Sequence, residues 1–296
     1  MHDKSFLQLT TVNQFLQWIS DYFAANDIFF GHGTDNPWDE AVVLVTHVIG
    51  LDPFVNADAG ELVLDEQQKR RLYELVTRRV EQRIPAPYLV GEAWFCGLRF
   101  LVNESVLIPR SPIAELIEQS FQPWLTEPPK RILDLCCGSG CIGIACAYAF
   151  PEAEVVMSDI SPEALEIAQQ NIALHQLGNR VTAIESDLYG NLGHEKFDLI
   201  ISNSPYVNAQ DFAEMPPEYH HEPSLALESG NDGLDFTRRL LAESHKHLTE
   251  DGILVAEVGN SWLDLDAAYP QLPFTWLEFE YGGHGVFLLN KSLLQA

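Results

Sequence analysis

Arg131-Ile132-Leu133-Asp134-Leu135-Cys136-Cys137-Gly138-Ser139-Gly140-Cys141-Ile142-Gly143 decides the fold. The apolar run over residues 131–135 predicts a buried strand, the glycines end it, and residues 141–150 continue as a helix. Glycines at such a turn let the backbone approach a ligand with no Cβ in the way. A ligand held there sits at the carboxyl end of the strand, beside the helix N-terminus.

Downstream, the hydrophobic period alternates. Residues 155–158, 181–185, 197–202 and 253–257 read as strands, and 162–175 and 234–248 as helices. This order demands a mostly parallel sheet with helices on both faces. Residues 274–280 and 286–289 depart from it. Their link, Tyr281-Gly282-Gly283-His284-Gly285, is too short for a crossover helix, so the two strands pair antiparallel. Upstream, residues 11–25 form an apolar stripe of Phe15, Trp18, Ile19, Tyr22 and Phe23. Asn36-Pro37 opens a second helix that Gly50 closes, and Asp65 opens a third. Aromatic and β-branched residues over 93–106 predict a β-hairpin. The expected organisation is a helical domain over 1–86, a linking hairpin over 87–107 and an α/β domain over 108–296. There is no internal repeat.

The 296 residues suffice for one α/β core and a smaller satellite. No apolar stretch reaches the roughly 18 residues of a membrane span. The N-terminus lacks the pattern of a secretory signal, which makes the cytoplasm the expected compartment. Five cysteines, Cys96, Cys136, Cys137, Cys141 and Cys146, are an odd number without a CxxC pair, which argues against a disulfide framework or a zinc ribbon. They read as small buried side chains. Asp and Glu outnumber Lys and Arg by 43 to 17, a net charge of −26. That charge repels bare nucleic acid and attracts a basic partner; it is equally consistent with solubility alone. Within this acidic chain the third helix is basic, with Lys69, Arg70, Arg71, Arg78, Arg79 and Arg83 read as its outer face. Two readings stand, a solvated face and a contact with RNA near a substrate.

The glycine turn is ambiguous by itself, since Gly138-Ser139-Gly140-Cys141-Ile142-Gly143 also spells the GxGxxG of a dinucleotide fold. Asp159, followed by Ile160, closes the second strand and suits the ribose of either NAD or S-adenosylmethionine. Three features favour S-adenosylmethionine. Asp134 stands just before Cys136, Cys137 and the glycines, where it is expected to help hold a methionine amino group. Asp187 and Leu188 end the third strand with an acid for an adenine amine and an apolar cover. The antiparallel end of the sheet is foreign to the standard dinucleotide fold.

The fourth strand runs into Asn203-Ser204-Pro205-Tyr206. An amide nitrogen is a poor nucleophile because its lone pair is delocalised. A site that alkylates it needs acceptors aimed at both N–H bonds, to present the lone-pair face and stabilise the positive charge that builds. The Asn203 side-chain oxygen is one acceptor and the Ser204 main-chain carbonyl the other. Pro205 biases Ser204 to an extended backbone, and Tyr206 is placed to pack on a flat amide or on the methionine chain. An isolated tetrapeptide of this kind is an ordinary polar turn; its place after this strand order gives it meaning. His220-His221-Glu222 lacks a third metal ligand and is read as a loop near the substrate groove, with no metal expected.

With these motifs the chain resembles the bacterial protein-glutamine N5-methyltransferases, the HemK-like family that modifies ribosomal protein L-three or peptide release factors. The likeness runs over nearly the whole length. It rests on Tyr88-Leu89-Val90-Gly91-Glu92, Phe100, Val106-Leu107-Ile108-Pro109-Arg110, the 134–140 loop, residues 203–206, His221-Glu222-Pro223 and Gly230 to Leu234. The resemblance implies a class I S-adenosylmethionine-dependent methyltransferase. Its fold is a Rossmann-like seven-stranded sheet with the last strand antiparallel, behind an N-terminal helical domain that recognises the target protein. Ser111-Pro112-Ile113-Ala114-Glu115-Leu116-Ile117, after Pro109-Arg110, is similar to the branch acting on ribosomal protein L-three, free or in an assembling large subunit; the release-factor branch is the alternative. The family's Asn-Pro-Pro-Tyr is here Asn203-Ser204-Pro205-Tyr206, which keeps the carbonyl of residue 204 but loosens the backbone by up to ~1 kcal/mol. Three other readings are discriminated by simple observations: a nucleic-acid amino methyltransferase by methylation of deproteinised RNA, an NAD enzyme by titration with NADH, and a silent binding module by absence of turnover.

Overall fold

The computed structural model describes residues 5–54 and 59–295. The chain divides into two units, Met1–Glu92 with Pro216–His221, and Ala93–Met215 with Glu222–Ala296.

The first unit is helical: α1 (Val12–Ala24), α2 (Pro37–Ile49), α3 (Glu66–Gln82) and the short α4 (Ala86–Val90). Each long helix starts where its sequence says. Thr11 and Gln14 form a capping box for α1, Asn36 Oδ1 accepts the Asp39 N–H at 2.9 Å before Pro37, and Asp65 pairs with Gln68 in the same way. Such caps satisfy amides that have no partner within the helix. Gly50, at φ +72°, ends α2. Phe15, Ile19, Phe23, Leu44, Leu72 and Leu75 close the core of this unit.

The basic face expected on α3 is corrected here. Arg79 is fully buried: its guanidinium bonds the Glu40 carboxylate, Glu218 Oε1 at 3.2 Å and the Phe29 carbonyl at 2.6 Å. Arg83 donates to Glu218 Oε1 at 3.1 Å and to the Asp27 carbonyl at 2.7 Å, and Lys69 lies buried against Glu66. The reason is helical spacing. Arg79 follows Leu72 by seven residues and Leu75 by four, so it falls on the apolar stripe. The two carboxylates that pair with it come from α2 and from the 216–221 segment. Arg70 and Arg71 remain exposed, and Arg78 is half-buried.

The second unit opens with a hairpin, β1 (Glu92–Phe95) and β2 (Leu98–Leu101). Cys96 and Gly97 turn it with φ of +48° and +69°, the twist that a two-residue hairpin needs. The hairpin ends at Leu101, short of the residue 106 that the sequence suggested, and residues 86–90 at the start of the expected linking region close as helix α4. There follow α5 (Ile113–Glu118), β3 (Arg131–Leu135), α6 (Cys141–Ala149), β4 (Glu154–Asp159), α7 (Pro162–Leu174), β5 (Val181–Glu185), β6 (Phe197–Asn203), α8 (Ala209–Glu214), α9 (Asp235–Ser244), β7 (Leu248–Glu257), α10 (Trp262–Ala268), β8 (Thr275–Trp276) and β9 (Val286–Asn290).

The seven strands lie in the order β5-β4-β3-β6-β7-β9-β8. β3 to β7 are parallel, and β9 runs antiparallel to both neighbours, with Val255 opposite Leu288 and Thr275 opposite Leu288 on its other side. Strand β8 forms only two residues of the expected seven, at the sheet edge, where pairing is available on one side alone. Strand β7 starts at Leu248, where the periodicity predicted the end of a helix. One apolar layer, with Ile132, Ile144, Met157 and Val255, packs on one face of the sheet; a second, with Leu133, Ile200, Leu241 and Leu254, packs on the other. Among the described residues no helix is long and apolar enough to cross a membrane.

Replacing Arg79 with Leu leaves Glu40 and Glu218 buried without their shared cation. Loss of one partner of a buried ion pair costs about 3–5 kcal/mol, so urea unfolding of Arg79→Leu is expected to shift by that amount; a change within 1 kcal/mol rejects the network as a structural element.

Candidate active site

Strand order reverses at β3, which pairs with β4 on one side and β6 on the other. In an open parallel sheet this is where a crevice forms at the carboxyl ends. A cavity of about 350 Å³ opens there, within the usual size of small-molecule sites. Of the residues singled out in the sequence, Cys136, Cys137, Gly138, Ser139, Asp159, Ile160, Asp187, Leu188, Asn203 and Pro205 line it. Asp134, Gly140, Ser204 and Tyr206 are not among its lining residues.

The turn after β3 is held from below. Asp134 is buried, and its Oδ2 accepts the Gly143 N–H at 2.8 Å, so the structure sets this carboxylate beneath the first turn of α6. Its Oδ1 has no hydrogen-bond partner among the described residues. Burial pushes its carboxyl up to about 7 against the Gly143 amide, with Asp159 adding to the rise. A Cβ at residue 143 would collide with Met157 and approach Asp134 Oδ2, which makes glycine necessary there. Gly138 differs: at φ +52° a Cβ would meet no protein atom, so the bare backbone faces open space in the cavity. Asn171, wholly buried on α7, completes the support by donating to the Ser139 carbonyl at 2.8 Å and exchanging bonds with Leu101.

Asp159 spans two loops. Its Oδ2 accepts the Gly138 N–H at 2.9 Å and its Oδ1 the Ser161 N–H at 3.0 Å. Burial raises its carboxyl, and these amides pull it back. Each oxygen retains acceptor capacity for a hydroxyl. Cys136 and Leu188 hold left-handed backbone, φ +58° and +52°, at the cavity wall. Non-glycine residues in that region store strain and concentrate at functional sites. Burial pushes the thiol of Cys141 up to about 12 and those of Cys136 and Cys137 well above the usual range, which disfavours their thiolates.

Sequence reasoning did not place Arg239, Arg110 or Pro223 in the wall, nor the Glu222 carboxylate that holds Arg110. Arg239 Nη2 donates to Asp187 Oδ1 at 2.9 Å. Arg110 and Glu222 form a bidentate pair, Nη1 to Oε1 at 2.6 Å and Nη2 to Oε2 at 2.7 Å, and the Ile108 N–H joins Oε1 at 2.9 Å. Pro223, next to Glu222, lines the cavity. The only sequence signal was that Pro109-Arg110 and His221-Glu222-Pro223 are both family motifs; their union is a tertiary fact. In the structure Glu222 is taken by Arg110, and His221 Nε2 bonds the Gln82 carbonyl at 2.9 Å. Among the described residues no group of three or more His, Cys, Asp or Glu could hold an ion.

Asn203 ends β6, half-buried at the cavity, and stands opposite Glu257 in register. Ser204 is buried, with a hydroxyl that finds no partner among the described residues. The loop is pinned on its far side, where the Tyr206 and Val207 N–H groups both donate to the Leu227 carbonyl, at 3.1 and 2.8 Å.

A sheet with this strand order, an acid at the carboxyl end of β4 and an Asn-x-Pro-Tyr loop after β6 define a class I methyltransferase. Comparison with known proteins agrees. A methyltransferase small domain model matches residues 116–216 and a PrmC N-terminal domain model residues 14–91. The chain is 47% identical over 288 residues to the ribosomal protein uL3 glutamine methyltransferase of Francisella tularensis subsp. tularensis, covering 97% of this chain and 92% of that protein. It is 41% identical over 303 residues to the protein of the same name from Bordetella pertussis, with both chains fully covered. The hMettl16 catalytic domain, solved with a MAT2A 3'UTR hairpin, shares the fold at 15% identity, a TM-score of 0.50, and 77% and 83% coverage of the two chains. The chain belongs to the HemK-like family of protein-glutamine methyltransferases, and its methyl donor is S-adenosylmethionine. The cavity fits that molecule: a carboxylate with spare acceptor capacity, an exposed Ile160 beside it and a glycine backbone open to the cavity meet the demands of ribose, adenine and a methionine chain.

Protonation of Asp134 sets a pH signature. Between the ordinary carboxylate range near pH 4 and pH 7 the unfolded chain has released this proton while the folded chain keeps it. The contribution of Asp134 to stability therefore falls as pH rises through this interval, by at most about 1.4 kcal/mol per pH unit. Urea midpoints at pH 4.5, 5.5 and 6.5 are expected to show a flatter profile for Asp134→Asn, whose amide oxygen still accepts from Gly143; parallel profiles for the two proteins rule this protonation out.

Proposed function

We propose that this enzyme transfers the methyl group of S-adenosylmethionine to the side-chain amide nitrogen (N5) of a glutamine in ribosomal protein L-three, the uL3 of its relatives' names. The observation that carries the reading is the Asn203-Ser204-Pro205-Tyr206 loop at the carboxyl end of β6, beside the cavity that contains Asp159.

Bound S-adenosylmethionine supplies an electrophilic methyl carbon on a sulfonium sulfur. Asp159 would hold its ribose hydroxyls, Ile160 and Leu188 would flank its adenine with Asp187 as the polar neighbour, and the backbone of the 136–140 turn would receive the methionine chain. Asp134 acts one step removed, by fixing the helix start through Gly143. The Asn203 side-chain oxygen and the Ser204 main-chain carbonyl accept the two N–H bonds of the glutamine amide. The nitrogen lone pair is thereby turned toward the methyl carbon, and the charge that builds is stabilised as it appears. The N–C bond forms as the S–C bond breaks. The nitrogen then sheds one proton to water, leaving the monomethylated amide and S-adenosylhomocysteine, and no strong base is required.

Support for the substrate comes from the names of two full-length relatives and from a net charge of −26, which suits a basic ribosomal protein. The helical region over 1–86 is assigned to target recognition, the hairpin region over 87–107 to linkage and 108–296 to catalysis. Arg70, Arg71 and Arg78 are the candidates for an RNA contact through the Lys69 to Arg83 helix. The unpaired thiols of all five cysteines suit the reducing cytoplasm.

Asn203→Ala is expected to abolish methyl uptake by purified uL3 from labelled S-adenosylmethionine while leaving cofactor affinity within a few fold; normal turnover removes Asn203 from the chemistry. Asp159→Ala is expected to weaken cofactor binding about tenfold or more, the worth of one to two charge-assisted hydrogen bonds. Calorimetry reads this directly, and unchanged affinity counts against the ribose assignment.

A further inference from the structure

Glu257 ends β7 in register with Asn203 and is 6% exposed. Its carboxylate lies between two hydroxyls. Tyr206 Oη donates to Oε1 at 2.9 Å, and Ser111 Oγ donates to Oε2 at 2.6 Å. Burial raises this carboxyl, and the two hydroxyls together with Arg110 pull it back. An ionisable group enclosed at the end of a core strand is expensive, and a leucine of similar volume would serve packing as well. What the carboxylate supplies is directional: it joins two segments that line opposite parts of one cavity. Tyr206 belongs to the loop that begins at Asn203. Ser111 follows Arg110 on the segment that the Glu222 ion pair ties down.

The remaining contacts of Tyr206 leave it little freedom. A Cβ on Gly259, two residues beyond Glu257, would strike its ring, and Gly259 is itself held in contact with Gly285. Ser261 Oγ donates to its main-chain carbonyl at 2.7 Å, and its N–H donates to the Leu227 carbonyl. Ring, hydroxyl and main-chain carbonyl are thus all held by one stretch of chain, residues 257–261, the hydroxyl through Glu257. We propose that Glu257 is a positioning residue for methyl transfer: it sets the spacing between the 203–206 loop and the 109–111 wall by holding the Tyr206 and Ser111 hydroxyls on one carboxylate. The proposal rests on the role given above to the Asn203 loop. It assigns Glu257 no contact with substrate or methyl donor.

A double-mutant cycle tests it on the full-length enzyme, with purified uL3 and labelled S-adenosylmethionine. Glu257→Gln is expected to lower kcat about 10- to 100-fold, the size of effect that sub-ångström to 1 Å misplacement produces, with cofactor affinity by calorimetry within threefold of the parent. Tyr206→Phe lowers kcat likewise, and the double variant falls no further than the worse single one. Multiplicative losses, or a Glu257→Gln enzyme within twofold of the parent, overturn the proposal. Should Glu257→Gln fail to fold, Ser111→Ala with Tyr206→Phe takes its place: non-multiplicative losses for two hydroxyls that share the Glu257 carboxylate support it, and independent losses overturn it. Asn203→Ala, run alongside, separates the two levels. Full activity in that variant defeats the catalytic reading of the loop, whereas loss there with normal Glu257→Gln defeats only the role given to Glu257.

Discussion

The turn between β3 and α6 must reverse the chain within five residues and leave its backbone bare on one side. Cys136, Gly138 and Gly140 all take left-handed φ to do so. That geometry is stable only because the space beneath it is filled: Met157 packs under Gly140 and Gly143, the Asp134 carboxylate accepts the Gly143 N–H, and Asn171 donates to the Ser139 carbonyl. The cavity exists because this turn is held open from below. Asp159 then ties the turn to the end of the neighbouring strand through the Gly138 amide.

The second organising theme is the placement of buried charge. Arg79 with Glu40 and Glu218, Arg110 with Glu222, and Glu257 with two hydroxyls each engage a buried carboxylate, and each joins segments far apart in sequence. Such groups contribute little net stability relative to apolar substitutes, but an error in their pairing is heavily penalised. They therefore specify which segments meet. In the α/β unit, these contacts place the Pro-Arg segment, the Glu-Pro segment and the Asn203 loop around one cavity.

Much of this was legible in advance. Strands β3 and β5 begin and end where hydrophobic runs and glycines put them, and the helix starts at Thr11, Asn36 and Asp65 are written in their caps. The cavity residues at the ends of β3, β4, β5 and β6 were readable for the same reason: in a parallel sheet the strand end is a functional coordinate. Tertiary pairing was not readable. Arg79 looked like a surface cation because nothing local announces that Glu40 and Glu218 await it. Asp134 looked like a cavity residue because sequence gives its distance from the glycines but not the direction of its side chain. Strand β8 looked longer because its residues favour strand, although only one edge was available to pair.

The sequence by itself determined the order and type of the elements, and through them the parallel sheet, its reversal at β9 and the end of the sheet at which a ligand sits. These follow from short-range physics: periodicity, caps and turns. Only the tertiary structure decided which buried carboxylate meets which cation or hydroxyl, that Glu222 closes on Arg110 and that Glu257 closes on Tyr206 and Ser111. Those contacts depend on three-dimensional distance between residues up to 146 positions apart, and no local pattern encodes a partner so remote.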